Sequence, residues 1–285
     1  PDGIEIYEYR TDPKISDSDN DNIADGAERN WYETHGCDPL GDVDGDGAPN
    51  ILDNDSDDDG VFDGDEILLY HSDPLIVDSD GDGLSDGLEI GIGTNPVLSD
   101  SDDDLMGDLE EYQCGLDPTD NDTDDDGIRD GVEKYIILTD PLNNDTDGDG
   151  IKDGDEYAYL ADPLLNDTDS DNISDGDEIY IYNTYPNMSD SDSDNVTDYY
   201  EIFGWEITIR DNISGLITKT VYSNPLLNDT DNDNISDGLE KIYGSDPGTE
   251  DTDHDGLTDY EEIYGISVGL NIYYPDPTDY DTDGD

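Results

Sequence analysis

Positive charge is what this sequence has least of: 9 Lys plus Arg stand against 82 Asp plus Glu in 285 residues, a formal charge of −73. Nucleic acid is excluded as a partner, because such a polyanion offers no basic patch to a phosphate backbone. Large apolar side chains are also scarce. Only 31% of residues are apolar, with 20 Tyr but 2 Phe and 2 Trp, so one buried core of the size this length would support is not available. The 2 cysteines, Cys37 and Cys114, cannot form a disulfide framework, and their separation of 77 residues fits no zinc spacing. No run approaches the ~18 apolar residues of a membrane span. By composition the chain belongs with disordered polymers. A fold needs something to cancel the charge, whether multivalent cations, bulk salt or a basic partner.

What the sequence has in abundance is order. Asp-x-Asp-x-Asp recurs eleven times in one register, with an apolar residue at the seventh position of each copy. The first positions are Asp17, Asp42, Asp55, Asp78, Asp100, Asp122, Asp145, Asp167, Asp190, Asp229 and Asp251. The third are Asp19, Asp44, Asp57, Asp80, Asp102, Asp124, Asp147, Asp169, Asp192, Asp231 and Asp253, and the fifth Asp21, Asp46, Asp59, Asp82, Asp104, Asp126, Asp149, Asp171, Asp194, Asp233 and Asp255. The ninth position holds Asp25, Asn50, Asp63, Asp86, Asp108, Asp130, Asp153, Asp175, Asp198, Asp237 and Asp259. The twelfth holds Glu28, Asp53, Glu66, Glu89, Glu111, Glu133, Glu156, Glu178, Glu201, Glu240 and Glu262. Most starts lie 22 or 23 residues apart, with a short step of 13 after Asp42 and a long one of 39 after Asp190. This spacing defines a tandem array rather than a conventional globule. Many units close on Asp-Pro or Asn-Pro, which ends a short helix and fixes the entry to the next loop.

The pattern has the chemistry of a hard-cation loop. Three short carboxylates at alternate positions surround one point, the seventh residue offers its carbonyl, and the ninth contributes directly or through water. The longer glutamate at the twelfth returns from the first helical turn to chelate with both oxygens, which favours Ca2+ over Mg2+. The sixth position, which requires a positive φ, is Gly or Asn in every copy but one, and Leu105 marks the Asp100 loop as the deviant. A merely solvated or halophilic surface would scatter its acids. Here 54 of the 55 carboxylate positions of the eleven loops are acidic, which decides for metal.

With these residues on view, the array resembles thrombospondin type 3 repeats of the microbial form. The run Asp145-Thr146-Asp147-Gly148-Asp149-Gly150-Ile151-Lys152-Asp153-Gly154-Asp155-Glu156, followed by Ala161-Asp162-Pro163, carries the likeness. The resemblance implies an extracellular calcium-binding spacer, with no enzymatic activity and with ions strung closely along the chain. The regular cysteines of the animal form are missing.

The expected fold is a calcium-stabilised tandem-repeat rod or solenoid, mostly irregular loops with one- to two-turn helices, one β-hairpin insertion and no conventional hydrophobic core. Residues 1–201 and 229–262 are repeats. Residues 202–228 form the hairpin-like insertion, where Trp205, Ile207 and Ile209 alternate with polar residues. Residues 263–280 are a Tyr-rich insertion without assignment, and 281–285 begin another repeat through Asp281, Asp283 and Asp285. Asp2 and Glu5 read as the ninth and twelfth positions of that same loop, so either a fragment has been cut from a longer array or protomers share a site head to tail in an open filament.

One ion in each of twelve loops leaves the charge at about −49. Asp58, Asp103, Asp125, Asp155 and Asp177 are therefore candidates for second ions, one or two Ca2+ per repeat, although facing water is the simpler reading. Sequons at Asn54, Asn121, Asn144, Asn166, Asn187, Asn212 and Asn228 are candidate glycosylation sites; those at Asn172, Asn195 and Asn234 fall inside loops, where backbone conformation alone explains Asn. Serine, cysteine and the scattered His35, His71 and His254 make no catalytic grouping, so no enzyme is expected. The expected role is a structural stalk or fibre at the cell surface or outside the cell, self-associating and glycosylated. A calcium-rigidified spacer presenting an adhesive or enzymatic domain is the alternative, and a calcium store or mineral-binding polymer a third.

Overall fold

The computed structural model describes residues 9–211 and 214–282, the side chain of Asp211 excepted. The chain divides into two compact units, Pro1–Asn143 and Asn144–Asp285, and the same local pattern recurs within each. Every loop curls through its acidic positions and enters a helix at the ninth. The helices are α1 (Asp25–His35), α2 (Asp63–Asp65, then Glu66–Tyr70), α3 (Asp86–Ile92), α4 (Asp108–Cys114) and α5 (Asp130–Val132, then Glu133–Ile137). They continue with α6 (Asp153–Tyr159), α7 (Asp175–Asp177, then Glu178–Tyr182), α8 (Asp198–Phe203), α9 (Asp237–Tyr243) and α10 (Asp259–Tyr264). In the Asp42 loop a 3-10 turn, Asn50–Leu52, takes the helix's place. Helices start at the ninth position because its backbone N–H is tied to the carbonyl of the residue before the loop, as Asp86 to Val77 and Asp175 to Asn166. Acids at the ninth and twelfth positions then occupy the first turn, where the helix dipole favours negative charge.

The helix also absorbs the one-residue variation in repeat length. Units of 22 residues carry seven-residue α-helices, α3, α4, α6 and α9. Units of 23, those starting at Asp55, Asp122 and Asp167, open as an α-turn and finish as a π-turn. One extra residue fits into the wider turn, and both kinds end on a left-handed residue, Gly93 or Leu160 in the first, His71 or Leu138 in the second. Only α1, with 11 residues, exceeds the two turns expected. No Asp-Pro follows it until Asp38-Pro39, and the fully buried Tyr32 anchors its later turns.

Apolar burial is sparse and regular. The seventh residue is buried in nine loops (Ile23, Val61, Leu84, Met106, Ile128, Ile151, Ile173, Val196 and Ile235), while Ala48 and Leu257 are half-buried. An apolar cluster of ordinary kind forms in the insertion, where antiparallel β1 (Trp205–Asp211) and β2 (Gly215–Val221) bury Ile207, Ile209 and Val221 with Trp205 and Ile217 against them. A smaller hairpin, β3 (Ile266–Val268) with β4 (Asn271–Tyr273), fills the segment that the sequence left unassigned. Both hairpins enter the repeat at one point. α8 and α10 end at Gly204 and Gly265, where a Cβ would lie 2.7 Å from the Val221 carbonyl oxygen and 2.6 Å from Ile272 Cγ2 respectively. The repeat resumes as soon as β2 ends. Ser223 N–H donates to the Glu201 carbonyl, as Ser245 does to Glu240 in a unit without a hairpin, so residues 223–228 belong to the repeat rather than to the insertion.

Candidate metal centres

The Asp167 loop shows how each acid is placed. Asp167 accepts from the N–H of Ser170 at 2.8 Å and of Asn172 at 3.0 Å through different oxygens. Asp169 accepts from Asp171 N–H (3.1 Å), and Asp171 from Ile173 N–H (2.8 Å). Asp175 holds Thr168 by both its N–H (2.8 Å) and its Oγ1–H (2.6 Å). Amides from the loop's own backbone thus aim the carboxylates inward. The bend needs positive φ at the sixth position, as expected, and also at the fourth, where Ser170 has φ 66°. That second left-handed residue escaped the sequence reading, although Asn, Gly and Asp dominate the position.

What remains is a set of buried carboxylate oxygens that no donor reaches. Glu28, Glu89, Glu111, Glu156 and Glu262 are buried with both oxygens unpartnered. In Glu66, Glu133, Glu178, Glu201 and Glu240 one oxygen is unpartnered, while the other accepts from the hydroxyl of Ser72, Thr139, Thr184, Ser223 or Ser245. At the third position Asp19 and Asp102 have both oxygens unpartnered; Asp57, Asp80, Asp124, Asp147, Asp169, Asp192, Asp231 and Asp253 have one. Burial, reinforced by neighbouring aspartates, pushes the Glu89 carboxyl up to about 8, Glu156 to about 9, Asp169 to about 6 and Asp192 to about 7. At those values the two glutamates would hold a proton near neutrality, and a cation beside them is what favours the ionised form. The ion pairs Arg29–Glu33, Arg210–Asp279 and Lys219–Asp246 involve other acids. An all-oxygen donor set of this size fits a hard divalent ion, calcium before transition metals. In the loops at Asp17, Asp42, Asp55, Asp78 and Asp100, the first, third and fifth carboxylates each bring an oxygen within 4.8 Å of the others.

Successive loops are joined through the fifth position. The second oxygen of Asp59 accepts from Gly87 N–H, Asp104 from Gly131 and Asp149 from Gly176, each at 2.7 Å, and Asp194 from Gly238 across the inserted hairpin. The partner is the tenth position of the next loop. A Cβ there would lie 2.3 Å from the Asp59 carbonyl oxygen at Gly87, 2.2 Å from that of Asp149 at Gly176 and 2.0 Å from that of Asp194 at Gly238, so glycine allows the approach. Tyr199 keeps a longer bond to Asp171 at 3.2 Å. Where Leu109 or Tyr260 stands at the tenth position, the facing Asp82 or Asp233 oxygen has no donor.

This junction passes over the loop of the short step. A Cβ on Gly64 would lie 2.3 Å from the Asp21 carbonyl oxygen, and Asn22 Nδ2 donates to Asp65 at 3.3 Å. The Asp17 loop therefore docks on the Asp55 unit, and the Asp42 loop between them in sequence is bypassed. Asp42, Asp44 and Asp46 are exposed, and no buried glutamate closes their loop. The Asp100 loop, by contrast, is regular despite Leu105. Asp100 accepts from Leu105 N–H at 3.3 Å, Asp104 from Met106 N–H at 2.6 Å, and Glu111 is buried. The left-handed Leu105 side chain, 63% exposed, meets no obstruction in solvent.

Asp58, Asp103, Asp125, Asp155 and Asp177 are all exposed. Of the candidate glycosylation sites, Asn121, Asn166, Asn187 and Asn228 are exposed, Asn54 and Asn144 half-buried, and Asn212 lies outside the described residues. The in-loop Asn172, Asn195 and Asn234 donate Nδ2 to the preceding carbonyl. Asp281 is exposed, while Asp2, Glu5, Asp283 and Asp285 lie outside the described residues. His35 and His71 are not scattered in space: with Trp31 they line a cavity of about 390 Å³. The Ser72 and Ser79 hydroxyls at its wall donate to Glu66 and Asp86, not to either imidazole.

Loops of one design, several of them joined to the next through the fifth-position Asp, define an acidic tandem-repeat protein whose grouped carboxylates suit a hard cation. In particular, the chain carries bacterial TSP3 repeats: the model of that family matches residues 55–75, 78–99, 122–144, 145–164, 229–247 and 251–264, in agreement with the resemblance drawn from the sequence. The loops at Asp100, Asp167 and Asp190, outside the matched stretches, make the same bonds. No curated protein matches the chain. Two solved chains, the B domain and the BSP domain of a biofilm associated protein, are 49% and 50% identical to it over 15% of its length, with a TM-score of 0.15 each. The match spans 11% and 8% of those chains.

Proposed function

We propose that this chain is an extracellular structural spacer whose shape is set by bound calcium, an elongated stalk or fibre segment rather than an enzyme. The observation that carries this reading is the recurrence, in ten loops, of a third-position Asp and a buried twelfth-position Glu each with at least one buried oxygen that no donor reaches. In each such loop the side chains of the first, third, fifth and twelfth positions and the carbonyl of the seventh would hold the ion, which supplies the counter-charge that lets buried carboxylates stay ionised. Loops closed by so many carboxylates fill where calcium is millimolar, outside the cell. Exposed sequons such as Asn166 and Asn228 suit a glycosylated surface there. Small-angle X-ray scattering of the whole chain tests the reading. An extended, rigid profile in millimolar calcium that expands to a coil with chelator supports it; one profile in both conditions refutes it.

A further inference from the structure

The ninth position was read as a calcium ligand, yet its carboxylate is occupied elsewhere. In ten loops one of its oxygens accepts the N–H of the second-position Ser or Thr at 2.7–3.0 Å and the other accepts that residue's hydroxyl at 2.5–2.8 Å. In eight of these loops the hydroxyl oxygen in turn accepts the N–H of the residue six places before it, as from Asp162 to Thr168 at 2.9 Å and from Asp246 to Thr252 at 2.8 Å. In those eight, preceding turn, loop start and helix start are therefore tied at one point. No ninth-position oxygen is among the unpartnered ones, whereas the third and twelfth positions supply them in the same ten loops.

The bypassed loop is the natural control. Its second position is Val43, without a hydroxyl, and its ninth is Asn50, the one neutral residue there. Val43 N–H donates to Asn50 Oδ1 at 3.2 Å, and Asn50 Nδ2, which would have no acceptor on a valine, donates to the Asp38 carbonyl at 3.2 Å. Two acceptor oxygens accompany two donors; one acceptor accompanies one donor. The change follows the hydrogen bonds of the second residue, not the charge a cation would ask for.

We infer that the ninth-position Asp and the second-position Ser or Thr form a clamp that positions the loop and stands outside the ion's coordination shell, an inference that rests on the calcium reading above. The test is native mass spectrometry of the whole chain, which counts bound ions, alongside a calcium titration followed by circular dichroism. Asp175→Asn and Thr168→Val each break the clamp, Thr168→Ser preserves it, and Asp169→Asn removes a third-position ligand. Asp175→Asn and Thr168→Val should behave alike, with the full ion count at saturating calcium and a midpoint raised roughly tenfold for that unit, the scale of a lost buried hydrogen bond. Their combination should cost much less than the product of the two, Thr168→Ser should match the parent, and Asp169→Asn should lack one ion. A split, in which Asp175→Asn loses an ion and Thr168→Val does not, overturns the clamp and leaves the calcium reading standing. A parent chain without ions in millimolar calcium overturns both.

Discussion

The β1–β2 hairpin and the Asp229 loop that follows it are neighbours in sequence and fold for opposite reasons. The hairpin buries Ile207, Ile209 and Val221, whereas the loop buries Asp237 and Glu240, both 0% exposed, beside the single apolar Ile235. Cations are divided in the same way. Three of the chain's nine basic residues gather around the hairpin: Lys219 pairs with Asp246 at 2.5 Å, Arg210 with Asp279 at 3.1 Å, and Lys241 lies 3.7 Å from the Tyr200 ring centroid. Two of these cations, Arg210 and Lys219, stand on the hairpin's own strands, whereas among the described residues no ion pair reaches Asp237 or Glu240 of the loop. One chain can alternate the two because each hairpin enters where a helix has ended and leaves before the next loop begins.

Chelation should separate the two regions most sharply. In hydrogen exchange at neutral pH, loop and helix amides should lose protection when calcium is removed, since binding energy is folding energy for such sites. Amides of Trp205–Val221 should exchange more slowly than the loops under the same conditions; equal loss in both would dissolve the distinction. Next in size, Ile207→Ala should destabilise the hairpin by about 3 kcal/mol, the usual cost of a buried Ile truncation, with the calcium midpoint of repeats before Asp190 unchanged. Gly176→Ala should then weaken its junction by about 2 kcal/mol through overpacking against the Asp149 carbonyl, seen as a raised calcium midpoint. Gly26→Ala, at the same tenth position but with nothing within 4 Å of its Cβ, should be neutral or slightly stabilising. The smallest effect is a gain: Leu160 caps its helix at φ 64° in the left-handed region, and Leu160→Gly should stabilise that unit by about 1 kcal/mol in a thermal melt with calcium.

Much of this was legible in the sequence because spacing is geometry in a repeat. Period, acidic positions, buried seventh residue and first hairpin all follow from local pattern. So does the turn before each proline, where Asp73 and Asp162 accept the N–H two residues on. What was not legible depends on a second strand of chain. The role of Gly at the tenth position appears only when the carbonyl it approaches, in the loop before, is in place. Bypassing of the Asp42 loop follows from Gly64 resting on Asp21, 43 residues away. The ninth Asp looked like a ligand because its type fits one, and only its bonds to the second residue say otherwise. Those bonds also account for the Ser or Thr of the sequons at Asn54, Asn121, Asn144, Asn166 and Asn228, since each is a clamp hydroxyl.

The central claim, that cations hold the buried third- and twelfth-position carboxylates, is tested most directly by an experimental structure at high resolution from crystals or fibres grown in calcium. It predicts an ion within about 2.3–2.6 Å of both carboxylates in each of the ten regular loops, with the ninth-position oxygens still on their Ser or Thr. Ordered loops in which those carboxylate oxygens meet only water or one another would contradict it.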